Sequence, residues 1–465
     1  MQETRATSAG LDLHLEVSGS RVRAGLEAAL REAVRSGRLA AGTSLPSSRA
    51  LARDLRVARN TVVDAYGQLV AEGWLAARHG SGTWVAERTE PPAAMPAAPA
   101  PAAVPPVRHD LRPGVPDLSA FPRPAWLAAA RRALAAAPAA ALGYTDPRGL
   151  LPLRSALAGY LARARGVAVT PERVVVCAGY AEAVDLLSVV LAGRGGTSLA
   201  AESFGLRLHR DIAAARGLRS RPLEVDGQGA VTAALTGEAA VLLTPAHQFP
   251  LGVALHPRRR RGVVDWAAGA GALVIEDDYD GEFRYDRQAV GALQSLAPEH
   301  VAYAGTASKS LAPGLRLAWL VLPASLVDDV VAARRASGLL SSSTDQLTLA
   351  ELIRSGGYDR QVRRARLGYR RRRDRLLSEL ARRAPRARVT GIAAGLHALV
   401  TLPAGAAEAD VIADGARRGL ALQGLASFSL GPQPHEPALV VGYATPPGHA
   451  FTTALARLCA VLGEA

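Results

Sequence analysis

Hydrophobic positions recur along this chain with two different periods, and the change from one to the other divides it. Between residues 47 and 72 two helical patterns stand close together. SSRALARDL opens on Ser47, whose hydroxyl suits a helix N-cap, and puts Ala50, Leu51 and Leu55 on one face. ARNTVVDAYGQLVAEG follows, with Val62, Ala65, Tyr66 and Leu69 on its buried face and Gly73 as its stop. WLAARHGSGTWVAE then reads as a hairpin with Gly80 and Gly82 in its turn. Helix, tight turn, helix and hairpin make a winged helix-turn-helix, predicted over 18–88 after a short tail, 1–17. Past residue 108, apolar runs alternate with helical stretches: RVVVCAG at 173, AVLLTP at 240, GALVIEDD at 271 and VAYAGT at 301. That alternation predicts a mostly parallel sheet covered by helices. From about 341 an Arg-rich helix over 358–388 and short strands, HALVTL at 397 and ALVVGYA at 438, read as a smaller α+β part. The helix takes Val362, Leu367, Leu376 and Leu380 as its apolar seam.

Composition explains the break between the two patterns. PPAAMPAAPAPAAVPPV, residues 91–107, holds seven Pro and seven Ala, cannot bury a core, and predicts an extended spacer over 89–108. The 465 residues therefore form more than one domain, the larger over 109–465 with parts of about 109–340 and 341–465. At 49% hydrophobic and 21% charged the chain is not disordered as a whole. Two cysteines, Cys177 and Cys459, cannot build a disulfide framework, and no Cys/His spacing points to zinc. The N-terminus lacks signal-peptide character and no run reaches about 18 apolar residues, so a soluble, cytoplasmic protein without a membrane span is expected.

The net charge of +14 is unevenly placed. Residues 1–90 hold 12 Arg against 10 acids, whereas 354–388 hold 14 Arg against 3. DNA binding is therefore read from positions, not from total charge. Arg59, Asn60 and Thr61 open the second helix of the pair and suit base edges and phosphates in a major groove. On pattern alone a small helical protein-interaction module stays open beside that reading.

Arginine accounts for 54 of the 55 basic side chains; the only lysine is Lys309. Arg replaces Lys in solvated ion pairs but does not give a nucleophilic amine near neutral pH. A lone lysine is thus a candidate for Schiff-base chemistry, with an ordinary surface charge as the alternative. In VAYAGTASKSLAPGLRLAWLVLP the hydroxyls of Thr306 and Ser308 stand beside it, and the turn at Ala312–Gly314 brings back Arg316. An amine, hydroxyls and a guanidinium suit a ligand with an aldehyde and a phosphate. Upstream, GALVI runs into Glu276-Asp277-Asp278-Tyr279, at the strand end where open α/β sheets bind ligands. Near 179 a strand turns through Gly179 into a helix whose first amides would suit the phosphate.

These residues carry two resemblances. GRLAAGTSLPSSRALARDLRVARNTVVDAYGQLVAEGWLAARHGSGTWV resembles the GntR-type winged helix. The resemblance implies DNA contacts by Arg49, Arg59, Asn60, His79 and Gly80, with Ala58 in place of a common Ser or Thr. The lysine, carboxylate and glycine turn together resemble fold-type-I aminotransferases that use pyridoxal 5′-phosphate (PLP). The full order, with PGVPDLSAFPRPAW, GYTDPRGLLPLR, TPAHQFPLG and EDDYDGEFRY, is similar to the MocR subgroup of GntR regulators over about 20–460. It implies a homodimer that binds a double-stranded operator. It also implies that Lys309 holds PLP as a Schiff base, that Asp277 binds the ring nitrogen, and that Tyr279 binds the ring oxygen. Thr306, Ser308, Arg316 and the backbone at Tyr180 and Ala181 would hold the phosphate, and Gln248 would approach the ring oxygen.

Three departures from the aminotransferase pattern qualify this. Leu206 stands in Glu202-Ser-Phe-Gly-Leu206 where a Tyr stacks on the ring, and the phosphate turn reads Gly179-Tyr-Ala-Glu182. Val440 stands where an Arg clamps a substrate carboxylate, which should weaken α-amino acid binding. The expectation is a non-enzymatic regulator sensing PLP itself, like the members that control vitamin B6 synthesis. A regulator responding to amino acids, with Arg207 or Arg210 rebuilding the carboxylate site, and a working aminotransferase with a DNA-binding appendage are the alternatives.

Overall fold

A cap and a kinked exit define the first helix pair. In the computed structural model, which describes residues 6–8, 11–13, 22–78, 82–87, 108–285, 290–338, 340–431 and 433–464, the chain forms two units, 1–104 and 105–465. In the first, helix α1 spans Val22–Arg35, α2 Ser48–Leu55 and α3 Arg59–Ala71. Ser47 caps α2 by accepting from the Ala50 N–H at 3.2 Å, and Arg56 leaves it in the left-handed region at φ 54°. Leu51 and Leu55 of α2 pack with Val62, Ala65, Tyr66 and Leu69 of α3 and with Leu26 and Leu30 of α1. Ala52 rather than Ala50 completes the buried face of α2. Helix α1 was not among the expected elements, though it supplies Leu26, Leu30 and Ala33 to the core. The hairpin pairs β1, Leu75–Arg78, with β2, Gly82–Val85, in antiparallel register. Two three-residue strands, Ala6–Ser8 and Leu11–Leu13, pair within the expected tail. The expected wing tip at His79 and Gly80, and the linker but for residue 108, lie outside the described residues.

The second unit is built on a seven-stranded sheet. In chain order its strands are β3 Val174–Cys177, β4 Ser198–Glu202, β5 Arg219–Leu223, β6 Ala240–Leu243, β7 Leu273–Asp277, β8 Val301–Thr306 and β9 Ala318–Val321. The spatial order is β3-β9-β8-β7-β6-β4-β5; the strands from β8 to β5 are parallel, and β9 runs antiparallel to both neighbours. Four strands coincide with the predicted apolar runs. Strands β4 and β5 escaped because SLAAE and RSRPL lack β-branched runs, and β9 because it lies inside the segment read for its chemistry. Helices bury both sheet faces in separate clusters, one including α4, Tyr180–Gly193.

A three-stranded antiparallel sheet, Arg388–Thr390, Ala398–Thr401 and Ala438–Val441, packs with the Arg-rich helix α5, Gly357–Arg383. Val362, Leu376 and Leu380 are buried as expected, but Leu367 is 55% exposed and Tyr369 takes its place. Position 369 is seven residues from both 362 and 376, so it shares their face, whereas 367 falls on the far side of the helix.

Leu69 is fully buried where α1, α2 and α3 meet. Leu69→Ala is expected to destabilise the N-terminal unit by about 2–5 kcal/mol, measured by urea unfolding followed by circular dichroism.

Candidate functional site

The acidic triplet at the end of β7 is sorted by the pleat. Successive side chains of a strand face opposite sides, so Glu276 and Asp278 point one way and Asp277 the other. Glu276 accepts the Leu293 and Gln294 amides at 2.7 and 2.9 Å. Asp278 accepts Arg165 Nε and Nη2 at 2.6 and 3.0 Å and the Tyr303 hydroxyl at 2.8 Å. Asp277 instead lines a cavity of about 360 Å³ shared with Lys309, Tyr279, Thr306, Ser308, Arg316 and Tyr180. Burial pushes the Asp277 carboxyl well above the ordinary range, and the Lys309 ammonium opposes that shift. Burial likewise lowers Lys309, against the pull of Asp277 and Asp280. The Lys309 amine donates to the Gly114 carbonyl.

Other groups in the cavity wall are donors that suit an anion. Thr306 Oγ1 donates to Ser308 Oγ at 2.8 Å and accepts the Ser308 N–H at 3.1 Å, a local turn set by the T-x-S spacing. Arg316 sits in the left-handed region at φ 52° and reaches Gly179, where φ is +147° and a Cβ would come 2.8 Å from Arg316 Nη2. Only glycine leaves that space, at the first turn of α4 where backbone amides lack intrahelical acceptors. Ala181 belongs to that turn, although its side chain is not part of the cavity lining. The buried Tyr180 hydroxyl has no hydrogen-bond partner.

Gln248 requires a correction. It does not line the cavity; its amide nitrogen donates to the Phe204 and Phe249 carbonyls at 3.0 and 2.7 Å, and its oxygen accepts the Leu251 N–H at 3.0 Å. Its own turn and the strand-end segment at Phe204 together consume the side chain. Leu206 is 46% exposed at the cavity, whose wall also includes Phe204, His209, Phe249, His397 and Phe428. Val440 is buried among Phe204, Leu399 and Phe428. Arg210 lines the cavity, but its guanidinium serves Leu430 O and, at 3.0 Å, Ser220 Oγ; Arg207 is not in the wall. His209, Phe249 and His397 had no sequence signal, since His209 comes from the helix Arg207–Ala215 and the other two from separate loops.

In the N-terminal unit Arg49 is exposed on α2, and Arg59 and Asn60 are exposed at the start of α3, with Thr61 half-buried beside them. Ala58 precedes α3 without a side-chain cap, as its missing hydroxyl dictates.

Glu202, in the cavity wall, is pushed up to about 7 by burial, partly offset by Thr244 and Gln248. A raised carboxyl stabilises the fold below its ordinary range, and that contribution is lost as pH rises through about 7. Glu202→Gln is expected to reduce the fall in stability between about pH 5 and 8 by about 1–3 kcal/mol. Urea titrations across that range measure it; an unchanged slope would contradict the assignment.

Comparison with known proteins places this architecture. The family described as aminotransferase class I and II matches residues 111–417, and that described as bacterial regulatory proteins, gntR family, matches 23–85. The chain is 34% identical over 374 residues to the HTH-type pyridoxine biosynthesis transcriptional regulator PdxR of Corynebacterium glutamicum, covering 80% of this chain and 81% of that protein. It is 34% identical over 362 residues to the probable rhizopine catabolism regulatory protein MocR of Rhizobium meliloti, covering 73% of each. The crystal structure of an archaeal alanine:glyoxylate aminotransferase matches with a TM-score of 0.69 at 24% identity, covering 77% of this chain and 91% of that one, a likeness of fold. With a gntR-type region and an aminotransferase region in one chain, and such regulators as relatives over most of its length, this protein belongs to the MocR subgroup of GntR-type transcriptional regulators.

Proposed function

We propose that this chain is a cytoplasmic, homodimeric regulator whose cavity holds PLP and whose operator binding responds to PLP itself, in the control of vitamin B6 genes. The observation that carries the reading is a divided site. The groups that take up the cofactor converge on one cavity, while the position of the substrate clamp is an aliphatic side chain in a core cluster.

The donor set fits the cofactor. PLP supplies an aldehyde that captures amines and a pyridine ring that draws electrons from what it captures. Lys309 offers the only side-chain amine, held in a partly desolvated setting that favours its neutral, nucleophilic form. Asp277 would face the ring nitrogen and hold its proton, and Tyr279 would donate to the ring oxygen. Thr306, Ser308, Arg316 and the amides of Tyr180 and Ala181 would take the phosphate; the space that Gly179 leaves beside Arg316 supports this. Gln248 is left out of the set. A side chain at Val440 without a guanidinium cannot select an α-carboxylate, so the bound cofactor is the signal rather than a tool of turnover.

DNA reading is assigned to Arg49, Arg59, Asn60 and Thr61, with His79 and Gly80 at the wing. Affinity should fall with salt as phosphates are neutralised.

Three measurements check the reading. Lys309→Ala is expected to abolish the visible absorbance and the borohydride-stable adduct formed with PLP while the fold survives; a retained adduct excludes Lys309. Arg49→Ala and Arg59→Ala are each expected to weaken operator binding by about 1–3 kcal/mol in a fluorescence-anisotropy titration. Operator binding of the protein with and without PLP, and with PLP plus a panel of amino acids, decides the effector. A response to an amino acid but not to PLP, or sustained transamination, favours the amino-acid-responsive or enzymatic alternative.

A further inference from the structure

Behind the cavity three polar side chains meet at one point. His247 Nδ1 lies 2.8 Å from Asp280 Oδ2 and 3.1 Å from the Tyr279 hydroxyl. Only Tyr279 reaches the cavity; His247 and Asp280 are almost completely buried. Gly395, at φ +74°, seats the backbone against the pair, since a Cβ there would come 2.3 Å from His247 Cε1 and 2.5 Å from Asp280 Oδ2. Cofactor capture as described above uses Tyr279 but explains neither His247 nor Asp280.

One ring nitrogen faces two oxygens, and chemistry decides how it serves them. An ionised carboxylate only accepts, so Asp280 requires the proton on Nδ1. A protonated Nδ1 has no lone pair for the Tyr279 O–H. The phenol must then donate elsewhere, to Asp280 beside it or to an oxygen in the cavity. If the proton sat on Nε2, Nδ1 would capture the phenolic proton and point a lone pair at the carboxylate.

Resting on the PLP reading, we propose that Asp280 and His247 are positioning residues. By fixing the Nδ1–H tautomer they bar the imidazole as an acceptor and leave the Tyr279 proton for the anionic ring oxygen of the cofactor. The other groups facing this point are Asp277 at the end of β7, Lys309 from the turn after β8, Tyr443, and His397, which burial holds down at about 3 and therefore neutral. His397 Nε2 donates to the Pro250 carbonyl at 3.1 Å. His247, Asp280 and His397 also carry ligand atoms within 4.8 Å of one another, so a divalent cation is the competing occupant. The close Asp280–His247 hydrogen bond favours the proton.

Two readouts on the full chain test this. In the protein without PLP, nitrogen-15 NMR of the imidazoles, assigned with His247→Asn, is expected to show His247 as the Nδ1–H tautomer; an Nε2–H tautomer overturns the proposal whatever the cofactor does. In the PLP-loaded protein the pH midpoint of the visible absorbance reports the donor to the ring oxygen, because a donor to that anion favours the unprotonated form. Tyr279→Phe should raise the midpoint. Asp280→Asn and His247→Leu should raise it too, and Asp280→Asn should add little to Tyr279→Phe. His247→Asn, whose amide nitrogen replaces Nδ1–H, should restore the wild-type value and guards against a merely misfolded His247→Leu. Wild-type midpoints in Asp280→Asn and His247→Leu, or full additivity with Tyr279→Phe, overturn the proposal. Stoichiometric zinc binding lost in Asp280→Asn and His397→Ala assigns the cluster to a metal instead. If wild type forms no borohydride-sensitive chromophore, the PLP reading itself falls, and the tautomer measurement shows whether the pair stands without it.

Discussion

The buried pair of Arg165 and Asp278 is the interaction on which the site depends. Arg165 ends the helix Leu151–Arg165 and reaches Asp278 through two nitrogens, while a third serves the carbonyls of Gly281 and Val290 at 3.1 and 3.2 Å. Gly281 fits against this guanidinium; a Cβ there would come 2.4 Å from Arg165 Nη2. Burying two charges costs several kcal/mol each unless the remaining donors and acceptors are satisfied, and here they are. A pair so enclosed has one register. With Asp278 fixed on one side of the sheet, the pleat leaves Asp277 facing the other, into the cavity.

That orientation organises the electrostatics around it. Asp277 and Lys309 each lie in a setting that penalises charge, and each is the other's principal relief. The cavity therefore penalises charge on both the amine and the carboxyl, while hydroxyls and Arg316 line the same space. The apolar part of the wall, with Phe204, Phe249 and Phe428, lowers the local polarity, in which charges interact more strongly than in water.

The same physics separates the chain's two roles. In the winged helix the capped α2 and the buried face of α3 leave Arg49, Arg59 and Asn60 exposed, so the proposed recognition uses side chains that the core does not. In the larger unit Asp277 and Thr306 of the proposed set are buried and Lys309 and Tyr279 half-buried, and an uncommon protonation state needs such desolvation.

Much of this was legible before any coordinates. Ser47 as a cap, the faces of α2 and α3, four strands of the sheet and the set of Lys309, Asp277, Tyr279, Thr306, Ser308 and Arg316 depend on local chemistry or short spacing, which a sequence carries directly. The single lysine made the amine conspicuous because every other cation is Arg. What was not legible depends on contacts between distant segments. Gln248 had the right chemistry but its amide is taken by the distant Phe204 carbonyl as well as by its own turn; Leu367 was apolar but stood on the wrong side of α5; His247, Asp280 and His397 share no spacing. Helix α1 and strands β4 and β5 are defined by what packs on them rather than by their own patterns. Local propensity and composition thus determined the elements and the reactive groups, whereas the tertiary structure decided which side each group faces, since burial and hydrogen-bond partners come from chain remote in sequence.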